Sequence, residues 1–166
     1  MKSFWEDTAA ALKLPLPRRH YASPHARCLE TCRMAFTDLA PPTGDADVPP
    51  FHPLVRELIR ERLGVHTCDR RSTRSWIHKH YPEFALEEDF SEPDPLWNPD
   101  VRETLSEHVV RVEAFLDDLF TNDSEPIVSA TIHSGTIMAL YAAIEHAEVR
   151  VAPGSIVPVL IKAEPL

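Results

Sequence analysis

"IVSATIHSGTIMAL", residues 127–140, changes its period in the middle. Residues 127–132 form an apolar run of strand type that ends at His133, and Ser134, Gly135 and Thr136 lead into an apolar run of helical type. An ionisable ring therefore stands on the last step of a strand, directly before the open N-terminus of a helix. Such an N-terminus offers unpaired N–H groups and a partial positive charge, which together attract an anion. The same residues also read as a capped turn with an incidental histidine, so this junction alone does not describe a site.

A second junction of the same form lies at "YASPHAR", residues 21–27. "HYAS" predicts a short strand stopped at Pro24. "PHARCLETCRMAFTDL", 24–39, predicts a helix with proline at its first position, where a missing N–H does no harm. Cys28, Leu29, Cys32, Met34, Ala35 and Phe36 recur there at helical spacing, and Arg27 falls in the first turn. Strands alternating with helices predict an α/β sheet covered on both faces. Ligands of such sheets sit beyond the carboxyl ends of the strands, where helix N-termini converge. Together the two junctions describe a phosphate pocket bounded by Arg27, His133 and the helix start at Ser134 and Gly135.

The remaining elements follow from period and punctuation. Residues 3–14 predict a helix with Ser3 as its cap, and 40–53 a proline-rich loop. "LVRELIRERLG", 54–64, predicts another short helix or an irregular turn, closed by Gly64. "STRSWIHKHY", 72–81, predicts a helix capped by Ser72 and stopped by Pro82, with an irregular acidic loop over 83–98. Within 99–120, Val101, Leu105, Val109, Val112, Phe115, Leu116 and Leu119 make one long apolar helix face. The helix from Ser134 is expected to end near Glu145, and a last strand is expected in "IVPVLIKA", 156–163.

A length of 166 residues fits one domain with a sizeable core. The hydrophobic fraction of 43% and charged fraction of 26% belong to an ordinary soluble globular chain. No apolar run approaches the roughly 20 residues of a membrane span, and the N-terminus lacks the apolar core of a signal peptide. Three cysteines give no disulfide framework and fit a reducing compartment, so a cytoplasmic protein, or a nuclear one, is expected. A net charge of −9 argues against general nucleic-acid binding. The charge is uneven: residues 1–83 hold 13 Lys or Arg against 10 Asp or Glu, and residues 84–166 hold 4 against 16. The basic half is nearly all arginine, whose fork matches phosphate oxygens; most of these arginines are expected on solvated helix faces.

"YASPHARCLETCRMAF", "RERLGVHTCDRRSTRSWI" and "ATIHSGTIMAL", in that order, resemble the signatures of the histidine phosphatase superfamily, in its fungal phosphoglycerate mutase-like branch. The resemblance runs from about Trp5 to Glu164. It implies a three-layer α/β/α sandwich and transfer of a phosphoryl group of a small phosphorylated metabolite through a phosphohistidine, with no cofactor and no metal. Arg27 matches the family's phosphate-holding arginine. Glu61 matches its acidic proton donor, and His133 its second histidine, which stabilises charge on the phosphoryl group. The family's nucleophile stands on a strand carrying Arg-His-Gly, and that tripeptide is absent from this sequence. The resemblance thus implies a single but incomplete domain over 1–166, truncated at its N-terminus, with an unpaired sheet edge where that strand would lie. It leaves three functions open: a phosphatase, a mutase, or a catalytically dead remnant that binds anions or a protein partner.

Other residues admit both plain and functional readings. His25, where the family usually has leucine, is a candidate substitute nucleophile. Glu61 also fits helical salt bridges within "RELIRER". Cys28, Cys32, His66 and Cys68 could form a zinc set, but Cys28 and Cys32 fit a buried helix face. Arg70 or Arg71 could meet the substrate or serve a helix cap. His78 and His80 are expected in solvent, and His108 is expected to be structural.

Overall fold

The computed structural model describes residues 2–9, 11–39 and 49–164. Four short parallel strands, β1 (Arg19–Ala22), β2 (Leu54–Val55), β3 (Ala85–Leu86) and β4 (Val128–Thr131), form one sheet in the order β3-β2-β1-β4. Four α-helices accompany them: α1 (Ala26–Phe36), α2 (Arg74–His80), α3 (Leu105–Asn122) and α4 (Ser134–Ala143).

Alternation along the strands feeds two cores, as a sheet covered on both faces requires. Ala22 and Val55 point to one face, where Leu29 and Cys32 of α1 and Ile77 of α2 close over them with Tyr81, Phe84 and Phe90. Tyr21 and Leu54 point to the other face, against Phe115, Leu116 and Leu119 of α3. Helix α4 packs against α3 on that second side. The result is the three-layer α/β/α sandwich expected from the sequence. No helix among the described residues is long and apolar enough to cross a membrane.

Local chemistry sets the helix bounds. Helix α3 opens on a capping box: Thr104 Oγ1 accepts from the Glu107 N–H at 3.2 Å, and Glu107 Oε2 accepts from the Thr104 N–H at 2.7 Å. Its buried face is His108, Val112 and Phe115, at helical spacing. At its end Tyr21 Oη donates to Asp123 Oδ2 at 2.6 Å, tying α3 to β1. Helix α1 buries Cys28, Leu29, Cys32 and Ala35.

Several expected bounds shift. Helix α1 starts at Ala26, so Pro24 stands ahead of its first turn, and Met34 faces solvent instead of the core. Helix α3 starts at Leu105, where the capping box fixes it, leaving Val101 outside and exposed. Helix α2 is capped by Thr73, whose Oγ1 accepts from the Trp76 N–H, and not by Ser72. Of the two readings of 54–64 the irregular turn holds, with β2 and a 3₁₀ turn at Glu57–Ile59, and the acidic loop 83–98 contains β3. Near the N-terminus, Phe4–Ala9 is π-helical and Ser3 already has helical conformation, so it does not cap. Residues 156–163 form no strand; they hold Pro158 and meet no partner strand among the described residues. Most of the proline-rich loop expected at 40–53 lies outside the described residues.

Candidate functional site

The site grows from the parallel pairing of β1 and β4. Ala22 stands opposite Thr131, and the Ser23 N–H donates to the Thr131 carbonyl at 3.0 Å, one step past the strand. Ser23 and His133 therefore leave the same sheet edge side by side, and Ser23 Oγ lies 2.9 Å from His133 Nε2. Helix α1 turns Arg27 toward the same point. Its Nε donates to His133 Nδ1 at 3.2 Å, and its Nη1 donates to the Cys68 carbonyl at 2.9 Å. The two junctions read from the sequence thus meet directly.

The donors and acceptors settle the histidine tautomers. A guanidinium can only donate, so His133 Nδ1 accepts and the ring proton sits on Nε2, which donates to Ser23 Oγ. The Ser23 hydroxyl then donates to His25 Nδ1 at 3.2 Å, and His25 Nε2 donates to the Asp69 carbonyl at 3.0 Å. The two rings stand edge to face with centroids 4.9 Å apart. Burial holds the His133 pKa down to about 2, helped by His25, Arg27, Arg60 and His108. Burial likewise holds His25 down to about 4, with Arg60 and Arg27 adding to it against the bond to Asp69. Both rings are neutral at neutral pH. Cys28 Sγ lies 3.3 Å from His133 Nε2, and burial pushes its thiol up to about 12, so it packs there uncharged.

Glu61 reaches the site from the segment after β2. Its Oε2 accepts from the Gly135 N–H at 3.3 Å, which places a carboxylate at the N-terminus of α4. Gly135 leaves room for the carboxylate in this position: a Cβ would lie 1.9 Å from Glu61 Oε1, and the Glu61 side chain would have to move aside. Helix α3 holds the segment in place: Arg111 donates to the carbonyls of Leu58, Arg60 and Glu61, and His108 Nε2 to that of Arg60. Thr136 Oγ1 adds a bond to the Arg60 carbonyl at 2.8 Å. Ser134 and Arg27 are exposed, whereas His133 is buried beneath them.

Beside this constellation lies a buried ion-pair cluster. Arg60, fully buried, is bidentate to Asp94 at 2.7 and 2.6 Å and meets Glu57 at 3.1 Å. Its Nη2 also donates to the Asp69 carbonyl at 2.9 Å, the same oxygen that anchors His25. Arg71 pairs with Glu57 and lies over the Phe90 ring, so it is not available to a substrate. Arg70 lies over the Trp97 ring on the exposed side.

Of the residues singled out in the sequence, the structure joins Arg27 to His133 and Glu61 to Gly135. Both nitrogens of His25 are engaged and the ring is buried, which removes it as a substitute nucleophile. No three or more His, Cys, Asp or Glu among the described residues are placed to hold a metal ion. His80 stacks on Trp76 on the exposed face of α2. Sequence reasoning missed Ser23, Cys28 and Arg60 as parts of the site. Ser23 depends on the register between β1 and β4, which brings together the residues just beyond the two strands and leaves no mark in the sequence. Arg60 was hidden because "RELIRER" gives its charge obvious local partners.

Comparison with known proteins places these elements in one family. The family model of the histidine phosphatase superfamily (branch 1) matches residues 5–153. A protein named probable phosphoglycerate mutase, from Arthroderma benhamiae, is 43% identical over 91% of this chain and 44% of its own length. Phosphomutase-like protein 3 of Candida albicans is 32% identical over 90% of this chain and 45% of its own length. The probable phosphoglycerate mutase PMU1 of Saccharomyces cerevisiae is 32% identical over 89% of this chain and 55% of its own length. The chain thus spans about half the length of the curated relatives it matches. No solved structure matches it significantly. Every element that builds the site falls inside the matched span, and the chain belongs to the histidine phosphatase superfamily, branch 1.

Proposed function

We propose that residues 1–166 form one domain that handles the phosphoryl group of a small phosphorylated metabolite, in hydrolysis or transfer. The observation that carries this reading is the bond from Arg27 Nε to His133 Nδ1 at the mouth of α4. It joins an exposed guanidinium, a buried ring and a helix N-terminus at one point, which is the donor set a tetrahedral oxyanion needs. Phosphoryl transfer is mostly positioning and electrostatic stabilisation of the equatorial oxygens. In that reading Arg27 grips two oxygens, and His133 donates to a third as charge develops. The backbone of Ser134 and Gly135 adds the field of the helix. Glu61, at the edge of the same helix start, protonates the departing alcohol oxygen. The Glu61 side chain rests on the Gly135 N–H in the free protein, so that N–H becomes available to an anion only when Glu61 swings out.

A second reading has its own observation: His25, the ring that stands against His133, is locked on both nitrogens. It makes the same pocket an anion-binding module with no turnover. Phosphate release from a panel of phosphomonoesters by the purified chain, with His133→Ala alongside, separates the two. Turnover that disappears in His133→Ala supports the catalytic reading. Absence of turnover from a folded chain that still binds phosphate supports the binding module.

A further inference from the structure

His25 is a buried ionisable group that the proposed phosphate site does not use, and its bonds constrain the residue that the site does use. The hydrogen bonds run in one direction through four side chains: Arg27 to His133, His133 to Ser23, Ser23 to His25, and His25 to the Asp69 carbonyl. Both ends are fixed. Arg27 has no acceptor to offer, and the Asp69 carbonyl has no proton to give. That carbonyl is itself held by Arg60, which Asp94 grips with both oxygens. Every proton between the two ends is therefore assigned.

We infer that His25 is a positioning residue that couples anion binding to uptake of one proton, because through Ser23 it allows His133 to donate to a phosphoryl oxygen only as the imidazolium. The inference rests on the phosphate-site reading above. A phosphoryl oxygen offers no proton, so His133 must present N–H at Nδ1, where it now accepts from Arg27. With a strong donor at Nε2 a neutral ring could do so only if Ser23 turned its hydroxyl there, because the Cys28 thiol, 3.3 Å from the same nitrogen, is a weak donor. His25 Nδ1 would then be left buried without a donor, which is the costly outcome. Taking up a proton at Nδ1 keeps every other bond in the chain intact.

The surroundings fit this coupling. His133 is faced by Arg27 and Cys28 of α1, His25 before that helix, Arg60 after β2 and His108 of α3, while Glu61 meets the Gly135 N–H two residues on. Burial and the positive neighbours keep the empty site's ring neutral, and a bound dianion supplies the countercharge that reverses the preference. Leucine at position 25 would free the Ser23 hydroxyl, and a neutral His133 could then donate from Nδ1. Asparagine would restore an acceptor near the place of Nδ1.

The test is calorimetric titration with tungstate, a tetrahedral dianion, in buffers of different ionisation enthalpy between about pH 6 and pH 7. The native chain is expected to take up about one proton on binding, with affinity falling up to about tenfold per pH unit. His25→Leu is expected to take up almost none and to bind with little dependence on pH, while His25→Asn returns toward native behaviour. Ser23→Ala breaks the same chain and is expected to lose the coupling too, which keeps the test decisive if His25→Leu does not fold. Proton uptake unchanged in His25→Leu or in Ser23→Ala, with binding still lost in His133→Ala, overturns the coupling and leaves the phosphate site standing. No binding by the folded native chain, or binding unchanged in His133→Ala, overturns both.

Discussion

Replacing Asp94 by asparagine removes the negative charge that balances Arg60 in the interior. The native carboxylate takes two charge-assisted bonds from Arg60, at 2.7 and 2.6 Å, and accepts the N–H groups of Arg71, Leu96 and Trp97. Burial alone would raise its pKa, but Arg60 and the backbone donors hold it down to about 2. Asparagine keeps the size and one acceptor oxygen, and turns an NH₂ toward donors. Removing one partner of a buried pair costs about 3–5 kcal/mol. Glu57 remains 3.1 Å from Arg60 and compensates part of the charge, so the lower end, about 3 kcal/mol, is expected. Urea unfolding at neutral pH measures it. A cycle with Arg60→Met is expected to give a coupling of at least about 1.5 kcal/mol. The folded pKa lies below the unfolded value of about 3.9, so the carboxylate's contribution is complete above that pH and is lost as pH falls toward 2. The gap between native and Asp94→Asn should therefore shrink from about pH 5 downward. A cost below about 1 kcal/mol, or a gap that does not change with pH, would refute the reasoning.

Three further outcomes follow from single contacts. Gly135→Ala drives the Glu61 carboxylate outward by about 1.5 Å to reach normal contact. In a turnover assay alkyl phosphates are then expected to lose about 10²-fold in kcat, while p-nitrophenyl phosphate, whose leaving group needs no proton, is nearly spared. Stability should stay within about 1 kcal/mol in urea, because the displaced atom ends a flexible side chain. Thr104→Ala removes the cap of α3 and is expected to cost about 1 kcal/mol in the same assay, with no change in anion binding. Tyr21→Phe, which deletes the bond to Asp123, is expected to cost about 1 kcal/mol.

The parts of the fold legible in the sequence are those with a sustained period. The apolar faces of α1 and α3, the two strand-to-helix junctions and the α/β class were readable because burial imposed a repeat of 3.6 or 2, and the three-layer sandwich was implied by the family resemblance. Strands β2 and β3 are two residues each, too short to show any period. The stretch 54–64 imitated a helix through Glu57 and Arg60 at i and i+3, yet most of its charges are spent on distant partners. Arg56 meets Asp118, Glu57 meets Arg71, and Arg60 meets Asp94. The local Glu57–Arg60 pair forms without a helix, and the tertiary pairs fix the stretch in its extended and 3₁₀ course. At the site, Arg27, Glu61, His133, Ser134 and Gly135 were named from sequence because the helix starts and the family motifs mark them. The chain through Ser23 and His25 was hidden, because its geometry depends on the register between β1 and β4 and on a loop carbonyl at Asp69.

The claim that Arg27 and His133 form a phosphate site is tested most directly by the melting temperature of the chain in phosphate. At a concentration a hundred times the dissociation constant, specific binding adds about 2.7 kcal/mol, or roughly 5–10 °C for a domain of this size. The native chain is expected to show that rise, Arg27→Ala and His133→Ala to lose it, and Arg74→Ala, on α2, to keep it. A rise of equal size in all four proteins would place the anion elsewhere and contradict the account.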